Sequence, residues 1–232
     1  MSADLHPALA ACVWPDPFGE PRVYHPLVYH PLVGGPVDAA ELVDHANAVY
    51  SSKVECLAEA ARNGDWYEFV FLHERPYRLE ALAEAEQLLP LGALDADWWQ
   101  LVRAVWVDTE NAWQGEEDWR DLLPGRAGGE MMMEADERRA LAALPDPVPV
   151  FRGYARDGCE RGLSWTTERE RAEWFAHRFA GLDGEPQARV TVGAVPKAKV
   201  IAYLLGRQEN EVLALPEDVS VERVDLLDAD GP

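Results

Sequence analysis

Three short clusters in the last third of this 232-residue chain hold side chains suited to chemistry. An arginine sits in Phe151-Arg152-Gly153. A hydroxyl cluster, Ser164-Trp165-Thr166-Thr167, follows a glycine. Two acids flank an amide in Gln208-Glu209-Asn210-Glu211, directly before the apolar run Val212-Leu213-Ala214-Leu215. Side chains alternate along a strand, so Glu209 and Glu211 are expected on one face, and Ser164 and Thr166 likewise. Neighbouring carboxylates repel, and such pairs persist more often where a reaction or a cation uses them. Singly, each cluster has a plain alternative: a surface charge at a strand end, a chance Ser-x-Thr, a solvated strand edge.

The elements that must position these residues follow from periodicity. Residues 1–36 are rich in proline and contain VYHPL twice in succession, which reads as an extended arm laying Tyr and Leu on the rest of the protein. His25 and His30 within the repeat could be ligands, but an arm crossing the surface is the preferred account. From 37 to 147 the pattern is helical. Asp38 with Glu41 suggests a capping pair, and an apolar stripe runs from Leu42 to Ala61 until Gly64 stops it. Further helices are expected over 66–73, 77–89, 97–113, 117–123 and 134–144. Six of the nine tryptophans lie between 66 and 119 and read as core, since each ring buries a large apolar area. The period changes at Pro145-Asp146-Pro147. Runs at 148–151, 189–195, 200–205, 211–215 and 219–224 are rich in valine and read as strands, with one helix at 168–179. The fold class expected is α+β: a helical domain over 37–147, then a mostly antiparallel β core over 148–232.

Composition narrows the function classes. Forty-two acids against 21 Lys and Arg give a formal charge of -21, which disfavours generic binding to nucleic acid and to anionic membranes. The excess is uneven, with 27 acids and 10 bases in 1–147 against 15 and 11 in 148–232, so the C-terminal part opposes an anionic ligand least. Three widely spaced cysteines form neither a disulfide framework nor a CxxC site, no HExxH occurs, and no metal site is expected. The absence of a long apolar run and of a basic leader points to the cytoplasm, with delivery by a specialised route left open.

Taken in order, the three clusters resemble the mono-ADP-ribosyltransferase fold, in the branch shared by binary-toxin enzymes, arginine-specific transferases and phage-encoded modifying enzymes. Arg152 is similar to that branch's first-strand arginine. Ser164-Trp165-Thr166 is similar to its Ser-Thr-Ser strand, with Trp in place of the central Thr and Thr in place of the last Ser. Glu209-Asn210-Glu211-Val212-Leu213 is similar to its Glu-x-Glu-Val-Leu. The resemblance covers roughly 150–225 and implies NAD as co-substrate and a protein acceptor. It implies that Glu211 stabilises the ribosyl cation formed as nicotinamide leaves, as carboxylates do in glycoside cleavage. Ser164 would hold Glu211, and Arg152 would meet the pyrophosphate or brace the site. The Gly153 backbone would approach the nicotinamide amide. Thr166 would join Ser164 on the NAD side. Trp165 would shield the nicotinamide or pack in the core, and Arg178 would contact phosphate or form an ordinary ion pair. Glu209, as Glu rather than Gln, implies arginine as acceptor. Transfer to water, making an NAD glycohydrolase, or a catalytically silent protein-binding descendant are the alternatives.

Overall fold

The computed structural model describes residues 4–14, 27–89, 96–109, 112–123, 128–183, 187–206 and 209–228, with the side chains of 182 and 183 excepted. The chain divides into two compact units, Met1–Ala93 with Val107–Thr109, and Leu94–Trp106 with Glu110–Pro232. The division falls within the span that periodicity assigns to one helical domain. The change of period at 145–147 marks a change of secondary structure inside the second unit, not a boundary between units.

The first unit contains α1 (Pro7–Ala10), β1 (Val13–Trp14), β2 (Leu27–His30), β3 (Val33–Pro36), α2 (Ala40–Asn63), α3 (Trp66–Phe71) and α4 (Arg78–Leu88). The described part of 1–36 is therefore not an extended arm. β1, β2 and β3 form a small antiparallel sheet in chain order. The second VYHPL copy supplies strand and turn together: His30 pairs with Val33, leaving Pro31-Leu32 as the tight turn. Leu9, Val28, Leu32 and Val33 close a small core with Ala46 of α2. Most of the first copy, with His25, lies outside the described residues. His30 meets Tyr50 edge-on at 5.1 Å, and its Nδ1 accepts the Leu32 amide at 3.1 Å. Burial, then the neighbouring His6 and His73, lower its pKa from the ordinary histidine value. It is a neutral packing group. α2 ends as expected at Gly64, whose left-handed φ of 70° turns its amide onto the Ala60 and Ala61 carbonyls. Its N-cap is Ala39, with no side-chain cap hydrogen bond, one residue past the Asp38 that the sequence suggests.

The second unit contains α5 (Ala96–Asp108, its last two residues belonging to the first unit), α6 (Glu116–Leu122), α7 (Ala135–Ala143), β4 (Val148–Tyr154), β5 (Ser164–Thr166), α8 (Arg169–Asp183), β6 (Arg189–Val195), β7 (Val200–Leu204), β8 (Glu211–Ala214) and β9 (Ser220–Leu226). The six strands form one sheet of order β7-β8-β5-β4-β6-β9 in which every pairing is antiparallel, so the α+β class holds. Its ladder places β5 at the centre, between the strands that carry Arg152 and Glu211. α8 covers one face through Ala172 and Ala176, which meet Val190, Val192 and Phe151. Trp99, Trp119, Met132, Val148, Val150 and Leu213 are fully buried.

A buried ion pair ties this unit's helices to its sheet. Glu137 of α7 is 2% exposed and takes Arg103 of α5 through both oxygens, at 2.5 and 2.8 Å. The same carboxylate accepts the Glu134 amide, completing a capping box, and the Leu205 amide just past β7 at 2.9 Å. Burial pushes the Glu137 carboxyl up, but the Arg103 hydrogen bonds, with the Glu134 and Leu205 amides, outweigh it and hold the pKa below the ordinary value. Among the described residues no helix is long and apolar enough to cross a membrane.

Candidate active site

β5 is three residues long, and its register fixes the centre of the site. Thr166 lies opposite Glu211, and Ser164 lies opposite Leu213. Directly paired residues in an antiparallel ladder share a face, so Ser164 and Glu211 are diagonal neighbours on one face. The Ser164 hydroxyl donates to Glu211 Oε1 at 2.5 Å. Glu211 is 7% exposed. A carboxylate in that setting needs donors, and a second comes from Trp106 of α5, whose indole N–H reaches Oε2 at 3.2 Å. Trp106 in turn meets the ring of Trp119 edge-on at 5.0 Å.

Arg152 joins this group from β4. Its Nε donates to the Cys159 carbonyl at 3.0 Å and its Nη1 to the Ser164 carbonyl at 2.7 Å. The guanidinium lies on Gly162, where an added Cβ would come within 2.7 Å of Cζ. Of the two roles that the sequence suggests for Arg152, these bonds are those of a brace, clamping the loop 159–164 onto β4. Burial lowers its pKa from the ordinary arginine value, opposed in order by Cys159, Glu116 and Glu211.

Gly153 is explained by packing and not by a ligand. A Cβ there would lie 1.8 Å from the Ala172 carbonyl oxygen and 2.7 Å from the Ala176 nitrogen, so α8 approaches β4 closely only because the side chain is absent. Trp165 is 2% exposed and its indole N–H donates to the Gly162 carbonyl at 2.7 Å. Alternation turns it to the face opposite Ser164 and Thr166, which makes it core rather than a wall of the site. Thr166 is spent on scaffolding: its hydroxyl donates to the Glu209 carbonyl at 2.6 Å and accepts the Glu168 amide at 3.1 Å at the approach to α8. Arg178 is exposed on α8, with its guanidinium 5.2 Å from the Trp174 ring.

The expectation that Glu209 and Glu211 share a face is overturned. Asn210 has a φ of 44°, in the left-handed region that Asn tolerates better than most residues, and β8 begins only at Glu211. The period of two therefore does not extend back to Glu209. Asn210 is held in this turn by its carbonyl, which accepts the Thr167 amide at 3.1 Å, and by its side-chain amide on Glu168. Glu209 turns to α8 and pairs with Arg171 at 3.2 Å. The two acids thus enter different surroundings: Glu211 among hydrogen-bond donors, Glu209 beside a cation.

Of the tryptophans expected in the core, one touches the central carboxylate and another is not core. Trp106 is core in its burial but contacts the central carboxylate. Trp113 is 56% exposed and lines a cavity of about 580 Å³ with Gln114, Gly115, Glu116, Glu117, Asp118 and Arg120. The Arg156 guanidinium lies 5.9 Å from the Trp113 ring. Glu116 contributes to the field at Arg152. Among the described residues no group of His, Cys, Asp and Glu could hold a metal ion. No protein-family model, curated protein or solved structure matches the chain.

Proposed function

We propose that the chain is an NAD-dependent mono-ADP-ribosyltransferase that moves ADP-ribose from NAD to an arginine of a protein acceptor and releases nicotinamide. The observation that carries this reading is the Ser164–Glu211 hydrogen bond beside the Arg152 brace: a mostly buried carboxylate, oriented by a hydroxyl on the adjacent strand. Breaking the nicotinamide–ribose bond leaves positive charge on the ribose. A fixed carboxylate stabilises that charge most when it is greatest, so its effect is on the transition state. Two donors fix Glu211 in one rotamer, which removes the need to reorganise during the reaction. Glu209 then takes a proton from the acceptor guanidinium as its nitrogen bonds to the ribose carbon.

Ser164→Ala should slow nicotinamide release by about 10- to 100-fold, because Glu211 loses one of its two fixing donors. Steady-state release measured against NAD concentration checks this, and an unchanged rate removes Ser164 from the site. Glu209→Gln should lower the ratio of arginine transfer to nicotinamide release. An equal loss of both would make Glu209 structural.

The Arg171–Glu209 pair favours a second reading, an NAD glycohydrolase, since a protein cation already occupies the acceptor-directed acid and water is then the available nucleophile. Incubation of the protein with labelled NAD and a cell lysate separates the outcomes. Covalent label supports transfer, free ADP-ribose supports hydrolysis, and untouched NAD defeats both.

A further inference from the structure

Resting on the transferase reading, we propose that the seat for the acceptor's guanidinium is preformed by the Glu209 carboxylate with the Trp174 and Phe175 rings, and that Arg171 fills it in the resting protein. Arg171 Nη2 lies 3.2 Å from Glu209 Oε1. Its Cζ is 4.8 Å from the Trp174 centroid and 5.2 Å from that of Phe175. The two rings are 5.0 Å apart and inclined at 76°, which makes them adjacent walls. A carboxylate at the end of a planar cation and aromatic surfaces along it are what an alkylguanidinium selects and an ammonium ion uses less well. The backbone that carries the acid is held independently of the cation, because the Thr166 hydroxyl donates to the Glu209 main-chain carbonyl. Thr166 is also the residue opposite Glu211, so the seat is anchored in register with the ribose-directed carboxylate.

The seat reaches the surface along Trp174, which is 46% exposed, and the side chains of Arg171 and Glu209 are 27% and 17% exposed. A partly exposed pair is screened more than a fully buried one and is exchangeable against a competing cation. An acceptor arginine replaces Arg171 cation for cation, and the displaced guanidinium swings into solvent on its flexible stem. Arg171 thereby lowers the apparent affinity for free guanidines by the fraction of time it occupies the seat.

Agmatine, a small alkylguanidine, tests this on the full-length protein with wild type, Arg171→Ala and Arg171→Lys. Binding is measured by calorimetry without NAD, and transfer as the ratio of ADP-ribosylagmatine formed to nicotinamide released. Arg171→Ala should bind agmatine about two- to fivefold more tightly than wild type and raise the transfer ratio, with Arg171→Lys between them. Adding Trp174→Ala to Arg171→Ala should abolish the gain. Binding no tighter than wild type, or a falling transfer ratio, would overturn the proposal and make Arg171 a support for Glu209. If wild type releases no nicotinamide, the transferase reading fails, while the calorimetric comparison still decides whether the seat exists.

Discussion

Glu211→Gln should cut nicotinamide release from NAD by about 10²- to 10³-fold, the usual cost of losing one preorganised electrostatic group. The substitution is nearly isosteric. The glutamine oxygen still accepts the Ser164 hydroxyl, and the side chain still fills the space beneath Trp106. What disappears is the negative charge and one acceptor, since the amide nitrogen that replaces Oε2 cannot accept the Trp106 indole N–H. The folded state should therefore survive with a cost of about 1–3 kcal/mol, small beside the loss in turnover. Single-turnover release of nicotinamide, followed alongside thermal unfolding, separates the two effects. Undiminished release would discard Glu211 as the group that meets the ribosyl charge.

The largest expected effect on stability lies elsewhere in the same unit. Glu137→Ala should cost about 3–5 kcal/mol in urea unfolding, because it strands a mostly buried guanidinium. Arg103 loses both of its bonds to Glu137, and the Glu134 and Leu205 amides lose an acceptor. Its pH dependence has a definite sign. A carboxyl whose folded pKa lies below its unfolded value stabilises the fold fully above the unfolded value and loses that contribution as pH falls through the folded one. The gap in stability between wild type and Glu137→Gln should thus be widest above about pH 4.5 and narrow below it. A gap that stayed constant down to pH 2 would show that the charge on Glu137 contributes nothing.

Much of the architecture was legible because valine runs and helical stripes are local signals. Both α2 and the strand at 189–195 follow from spacing alone. The small sheet near the N-terminus was not legible, since its strands are two to four residues long and its core depends on Ala46 in a later helix. In the site, Arg152, Ser164 and Glu211 stand out by type and order; the structure joins Ser164 to Glu211 by a hydrogen bond and sets Arg152 on the Ser164 carbonyl. Trp106 was missed because its partner is 105 positions away and its spacing with Val102 and Val105 is that of an ordinary core face. The orientation of Glu209 was misjudged by extending strand alternation through Asn210. An asparagine there was itself a signal, as a residue that visits the left-handed region more readily than most. In the sequence Gly153 reads only as a point of ligand approach, and the small residues at 172 and 176, four apart on one helix, were the clue to its close packing under α8.

Arg103 and Trp106 stand one turn apart on α5, one gripping Glu137 and the other touching Glu211. The sheet is consequently not self-sufficient in structure. A fragment cut at residue 148 would keep the arginine, the serine and both acids, yet lose the indole on one carboxylate and the clamp at Leu205. A fragment that keeps these contacts begins upstream of α5.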